Sequence, residues 1–255
     1  MTDIQYQADA GVAHLTLNRP DAYNALSRGL MGELIGRLDD IAADGDIRTV
    51  VISGAGRGFC AGHDLNEVRG MNERDERRAL FELCSQMMLR IQSLPQPVIA
   101  AVHGIATAAG CQLVATADLA IAEPDARFAT PGVNLGLFCS TPMVALSRSV
   151  GHKHAMQMLL SGEMIDAPGA VRIGLINDIS EGAVDAALEL ARRIAEKSGP
   201  VLAIGKETFY HQLQMSTADA YDHCSEVMAR NLELRDSAEG INAFLEKRPP
   251  AWEHK

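Results

Sequence analysis

Bulky rings are the scarcest building material in this chain: one Trp, four Tyr and six Phe among 255 residues. Without them a core has to close through small side chains and near backbone contact, and 22 glycines with abundant alanine supply that. The five cysteines (Cys60, Cys84, Cys111, Cys139, Cys224) form no C-x-x-C pair and cannot all pair, which excludes a disulfide framework and the usual zinc motifs. No metal site is expected. There is no apolar run of spanning length and no secretory signal pattern, so the expectation is a reducing, cytoplasmic protein with free thiols and no membrane partner. A formal charge of −10 without any Lys/Arg run argues against a nucleic-acid groove. Three catalytic signatures are also missing: Gly-Lys-Ser/Thr for a phosphate loop, G-x-S-x-G for a nucleophile elbow, and a correctly spaced G-x-G-x-x-G for a dinucleotide.

What is present centres on Thr49 to Asn66. The apolar run Val50-Val51-Ile52 breaks into Gly54, Gly56, Gly58 and Gly62, the pattern of a buried strand ending in a loop that displays backbone. Before it, Ile4–Tyr6 and Val12–Leu17 read as strands joined across Asp9-Ala10-Gly11. Ser27 caps an expected helix with Leu30, Leu34, Leu38 and Ile41 on one face. Residues 73–94 carry a second stripe, Leu80, Cys84, Met87, Ile91 and Leu94, broken at Pro95-Gln96-Pro97. Val98–Val102 is the next strand. It runs through His103-Gly104 into a small-residue helix entry, which repeats the design of the opening stretch. Strands at 119–122, at Phe128-Ala129 and at 175–179 follow, with two short helices across 140–161. Helices at 181–197, 200–214, 217–234 and 237–247 close the chain, starting near Pro200, Thr217 and Ser237. The change of pattern places a boundary near Lys197, between a core of residues 1–197 and a helical region of 198–255. Two glycine-bearing strand ends can each aim a peptide N–H at one oxyanion.

The ordered pieces resemble the crotonase, or enoyl-CoA hydratase/isomerase, superfamily along nearly the whole chain. They are Asn18-Arg19-Pro20 with Asn24-Ala25-Leu26, GRGFCAGHDL (56–65), PVIAAVHG (97–104), ATAAGCQLV (106–114), Asp118, Phe128, Pro131 and Asn134-Leu135-Gly136. Runs such as FATPGVNLGLFCSTP resemble a subgroup of hydratase domain-containing proteins. The resemblance implies an α/β spiral of ββα units, with C-terminal helices that build homotrimers or hexamers. The implied ligand is a coenzyme A thioester from fatty-acid or acyl-CoA metabolism, with no separately bound cofactor.

By position in the motif, the backbone N–H groups of His63 and Ala109 are the implied oxyanion donors. Ala109 stands where the family has glycine, so a positive φ is a concern there. The two glutamates of family hydratases fall at Gln112 and Gly132, neither of which moves a proton at neutral pH. Ala25, Ala61, His63, Asp64, Leu65, Asn66, Ala109 and Lys247 are the implied coenzyme contacts. Arg19, Arg28, Arg57, Lys206 and Arg248 are further candidates for phosphate, although a solvated surface charge is the commoner role. The side chain of His63 could titrate or could turn away. Asp64 reads first as a backbone acceptor. Cys139 reads first as a small hydrophobe rather than a nucleophile, and Ser140 or Thr141 as a helix cap. Three outcomes stay open: a hydratase-like enzyme, another enolate chemistry (isomerase, decarboxylase, thioesterase), and a non-catalytic acyl-CoA binder.

Overall fold

In a computed structural model describing residues 2–254, the chain opens with a hairpin. Strands β1 (Ile4–Asp9) and β2 (Val12–Leu17) pair antiparallel across Ala10-Gly11, whose φ values of 49° and 78° suit a tight two-residue turn. Helix α1 (Arg28–Ala43) follows, with the Ser27 side chain accepting from Leu30 N–H as expected. Then come β3 (Thr49–Gly54), a short α2 (Leu65–Gly70), α3 (Arg74–Ser93), β4 (Val98–Val102), β5 (Ile105–Thr107) and α4 (Ala109–Thr116). After these the chain continues through β6 (Leu119–Ala122), β7 (Arg127–Ala129), a 3-10 turn over Pro131–Leu135, α5 (Ser140–Ser149) and α6 (His152–Ser161). The last elements are β8 (Ile165–Asp166), α7 (Ala167–Ile173), β9 (Asp178–Ile179), α8 (Ala183–Ala195), α9 (Gly199–Gln212), α10 (Thr217–Asn231) and α11 (Arg235–Glu246).

The main sheet has the order β1-β2-β3-β4-β6-β9, parallel from β2 onward, and a smaller sheet has the order β5-β7-β8. Cys60 forms a parallel bridge with Ala106, so the loop after β3 lies beside β5 just as β5 lies beside β7. Three successive units therefore feed one segment into each sheet in the same order, which makes the repeat a spiral.

Side chains of the central strands alternate faces. Val50, Ile52, Val98 and Ala100 enter the larger core, while Val51, Ile99 and Ala101 face Ala183, Ala187, Ala191 and Ala195 of α8. Alanine at every fourth position lets α8 lie close on the sheet, which explains how a chain poor in aromatics covers both faces. A buried cluster anchors α9. Lys206 Nζ meets Asp118 Oδ2 at 2.6 Å and donates to Ile91 O and Gln96 O, while Asp118 also accepts from Tyr210 OH at 2.8 Å and Val98 N–H at 2.7 Å.

Several expectations need correction. Only Asp178–Ile179 of the expected 175–179 strand joins the sheet, because Leu175 N–H bonds Ala170 O and completes the end of α7. β8 and α7 were not foreseen, although Asp166 caps α7 through Gly169 N–H and Pro168 sits in its first turn. Short α2 was missed too. Neither Ser140 nor Thr141 caps α5, whose N-cap position is Cys139. Helix α10 does begin at Thr217, capped by Ser216, but α11 begins ahead of Ser237, at Arg235.

Candidate active site

The loop after β3 and the start of α4 are held together by backbone. Cys60 N–H donates to Ile105 O (3.1 Å), Thr107 N–H donates to Cys60 O (2.9 Å), and Thr107 Oγ1 donates to Ala61 O (3.0 Å). Two glycines make this closeness possible. A Cβ on Gly62 would lie 2.9 Å from Ala108 Cβ and 3.2 Å from Ala109 N; one on Gly110 would overlap the Cys60 carbonyl. Gly62 has φ 95°, which turns the chain after this seam.

Beyond the turn, Leu26 N–H donates to Gly62 O (2.8 Å) and Asp64 N–H to Leu26 O (3.2 Å). In that parallel bridge the amide of the intervening residue, His63, faces the opposite way, and it donates to no other described residue. The N–H of Ala109 is likewise unpaired among the described residues, as are those of Gly110 and Cys111. Ala108 offers no side-chain cap, so α4 presents an open first turn with the positive end of its dipole. The concern over φ moves by one residue: Ala108, not Ala109, takes positive φ (50°), and Ala109 is the first helical residue. The strain at Ala108 sets the helix start.

Around these amides the 19–26 loop is clamped. Asn24, fully buried with φ 54°, accepts from Arg19 N–H and donates to Ala55 O and Gly58 O, each at 2.8 Å. Arg19 donates to Ala25 O (2.6 Å) and to Asp64 Oδ2 (2.9 Å). That hydrogen bond holds the Asp64 carboxyl below the usual carboxylate range. Asp64 also accepts from Asn66 N–H, so it fixes the loop and caps α2, as its residue type suggests. The ring of His63 packs edge-on against Phe81 at 5.2 Å between centroids, and both ring nitrogens are buried without partners. Burial pushes its pKa down.

Gln112 is buried on α4, and its Oε1 has no partner. Gly132 is buried in the 3-10 turn; a Cβ there would meet Cys139 Sγ and Leu137 O, each at 2.9 Å. The Cys139 thiol therefore fills the space next to Gly132, and desolvation raises its pKa, as befits a small hydrophobe. Ala25 is buried and Ala61 half-buried beside the seam, whereas Leu65 and Asn66 are exposed at the start of α2.

Most of the proposed phosphate cations are already engaged. Lys206 is buried against Asp118, Arg19 is paired with Asp64, Arg28 donates to Glu76 O, Arg57 stacks on Tyr23, and Arg248 is bound by Glu239 and Glu246. For Lys206 this is a correction, since an ammonium 6% exposed and fully hydrogen-bonded is not available to a phosphate. Lys247, in the left-handed cap of α11, is exposed and makes no ion pair among the described residues. A separate cavity of about 740 Å³, lined by Val114, Ala117, Asp118, Arg148 and Tyr210, lies at the opposite end of α4. Sequence reasoning missed Thr130, a buried hydroxyl without a partner in front of Gly132, and the clamping role of Asn24.

A spiral α/β fold that leaves the amides of His63 and Ala109 unpartnered defines the class. The enoyl-CoA hydratase/isomerase family model matches residues 7–255, and the chain belongs to that family, with the crotonase fold. It is 45% identical to the mitochondrial enoyl-CoA hydratase domain-containing protein 3 of Rattus norvegicus, over 96% of this chain and 82% of that one. It is also 36% identical to the 2,3-dehydroadipyl-CoA hydratase of Escherichia coli, over 98% of both. Among solved structures, an enoyl-CoA hydratase of Mycobacterium smegmatis superposes with TM-score 0.95 at 47% identity, covering 98% of both chains. Human enoyl-CoA hydratase domain-containing protein 3 gives 0.95 at 43%, covering 98% of this chain and all of that one. The expectation of a cytoplasmic protein is overturned here, because the vertebrate relatives at 44–45% identity are named mitochondrial. Free thiols report a reducing environment, not an address. No helix among the described residues is long and apolar enough to cross a membrane.

Proposed function

We propose that this protein binds acyl-CoA thioesters in fatty-acid or acyl-CoA metabolism and polarises the thioester oxygen between the N–H groups of His63 and Ala109. The observation that carries this reading is the pair of unpartnered amides on the two segments that the Cys60–Thr107 seam joins, one of them at an uncapped helix N-terminus. Such donors cost no reorganisation when a carbonyl becomes an enolate, and losing one costs about 10²–10³ in rate where chemistry follows. Ala25, Ala61, Asp64, Leu65 and Asn66 form the coenzyme's rim, with Lys247 as the uncommitted cation.

Hydration needs a group to take and return a proton. Gln112 cannot, and at Gly132 even the stem of such a group is displaced by Cys139 and Leu137. That favours a second reading: a non-catalytic acyl-CoA binder, or an enzyme of another enolate chemistry, on a hydratase-like scaffold. A hydration assay on crotonyl-CoA separates these. The native chain is expected to stay at least about 10²-fold below the about 1–10³ per second typical of enzymes, and a Gln112→Glu variant, which needs no room at Gly132, to gain activity. Native turnover in the ordinary range would make it a hydratase and refute the argument from the missing carboxylates.

Assembly belongs to the same proposal. The 198–255 region exposes Phe244 at 83%, Tyr221 at 74% and Leu245 at 72%, large apolar surface of the kind that interfaces cover. A homotrimer or hexamer built through these helices is expected. Sedimentation of Phe244→Glu/Leu245→Glu should show a smaller species, and a native monomer would remove this part.

A further inference from the structure

We infer that residues 248–254 form a strap that holds α11 against the turn between α8 and α9, and that His254 makes this hold sensitive to pH.

The strap begins where Lys247, with φ 56°, turns the chain back at the end of α11 and Arg248 N–H donates to Ala243 O (3.0 Å). Two carboxylates of α11 then take up its polar groups. Glu239 accepts from the Arg248 guanidinium (2.6 and 2.9 Å) and from Ala251 N–H (2.8 Å). Buried Asp236 accepts from Glu253 N–H (2.7 Å) and His254 N–H (3.1 Å), while Arg235 pairs with Glu253 at 3.2 Å. The Trp252 ring lies on Gly240, where an added Cβ would meet it at 3.1 Å. All of these contacts are with α11, so helix and strap form one unit.

Two hydrogen bonds join that unit to the turn between α8 and α9. Trp252 Nε1–H donates to Glu196 O (2.8 Å), and Gly199 N–H donates to His254 Nδ1 (3.2 Å). The first involves no group that titrates. The second needs a bare ring nitrogen, and a proton on Nδ1 removes the acceptor.

The neighbouring charges act in the same sense. Arg48 Cγ and His254 Nδ1 both lie within 4 Å of a Cβ placed on Gly199, so a guanidinium side chain and the ring flank one glycine. Arg48 Nε is tied to Ala195 O (2.7 Å), and Lys197 stands exposed in the turn beside Glu196. Asp236 brings a negative charge from α11, but its oxygens are occupied by the strap's own N–H groups. A protonated His254 thus loses its bond and faces Arg48 as a like charge. Closure competes with proton uptake: the strap holds while His254 is neutral and loosens as pH falls from about 8 to about 5, the interval in which histidines ordinarily change charge. Helix α11 carries Lys247 and the exposed Phe244 and Leu245, so the device sets how firmly these are presented.

Trp252 is the only tryptophan of the chain, and its emission reports on the strap. Emission wavelength and acrylamide quenching are measured on the full chain at about pH 8 and about pH 5.5, with far-UV dichroism alongside. Wavelength serves better than intensity, because an imidazolium dims a nearby indole even where nothing moves. Loss of one hydrogen bond changes an open-to-closed ratio by about 2–10-fold, so at the lower pH emission should move to the red and quenching should rise, with dichroism unchanged. In His254→Asn, whose Oδ1 takes the place of Nδ1 and does not titrate, both should keep their high-pH values throughout. In His254→Ala both should be shifted even at the higher pH. Native emission indifferent to pH, a shift that persists in His254→Asn, a His254→Ala protein with native emission, or a shift that comes only with loss of dichroism overturns the inference.

Discussion

Replacing Gly110 by alanine tests how the two amides are held. An added Cβ overlaps the Cys60 carbonyl oxygen and lies 2.7 Å from Cys60 C and 2.9 Å from Cys60 Cβ. Carbon atoms pack at about 3.5–4.0 Å, so the 59–62 loop and the start of α4 must part by about 1 Å. Parting strains Cys60 N–H to Ile105 O and Thr107 N–H to Cys60 O, bonds worth about 0.5–1.5 kcal/mol each. Overpacking adds about 1–3 kcal/mol, and alanine's helix preference returns about 0.5–1 kcal/mol. The net is a loss of about 2–3 kcal/mol, or about 5–10 °C in Tm for a chain of this size. His63 moves with the loop, so affinity for butyryl-CoA should fall about tenfold as its bond to the carbonyl is lost. Gly32 and Gly36 on the exposed side of α1 have nothing within 4 Å of an added Cβ, and alanine there should stabilise by about 0.5–1 kcal/mol each. Thermal melts and calorimetry on the three variants read both effects. A Gly110→Ala protein with parental Tm and parental affinity would refute the seam argument.

The buried Lys206–Asp118 pair and the exposed Arg78–Glu82 pair should respond differently to loss of the cation. Lys206→Met leaves a mostly buried carboxylate short of its counter-charge, at about 3 kcal/mol by urea unfolding, whereas Arg78→Ala should stay within about 0.5 kcal/mol. His63 and His14 have pKa values lowered by burial, so below pH about 6.5 the unfolded chain takes up protons that the folded chain refuses. Stability is therefore fully present above that pH and is lost as pH falls toward the depressed folded values; His63→Leu should flatten part of the slope of Tm against pH, and an unchanged slope would remove His63 from the explanation. Cys60, Cys84 and Cys111 are buried with thiols pushed up to about 12, and Cys139 is buried as well, so a thiol reagent at neutral pH should titrate Cys224 quickly and the other four only on unfolding. Fast reaction of two or more equivalents in the native protein would contradict that burial.

Much of this architecture was legible because its elements carry strong local signals. The Ser27 cap, the apolar stripe of α1 and the runs at 50–52 and 98–102 each state their own structure. Their alternation between two cores was not legible, since a fully apolar run does not say which face each side chain takes. β8, of two residues, fell below what periodicity can detect, β9 is only the end of the apolar run at 175–179, and α2 is held by Asp64 and Arg19 rather than by a pattern of its own. At the site, glycine spacing and family resemblance led to His63, Ala109, Gln112 and Gly132. The strain at Ala108, the Cys139 sulfur against Gly132 and the unpaired Thr130 hydroxyl depend on contacts between segments far apart in sequence. Lys206 shows the limit from the other side: as a lysine near the end of the chain it read as a surface charge, and only Asp118, 88 positions earlier, makes it structural.

The central claim is that two backbone amides hold a thioester carbonyl. Calorimetry comparing butyryl-CoA with the S-butyl thioether of coenzyme A, which lacks that oxygen, tests it most directly. The thioester is expected to bind one per chain and about tenfold or more tightly than the thioether, the worth of two hydrogen bonds. Equal affinity for the two, or no binding of either, would contradict the account.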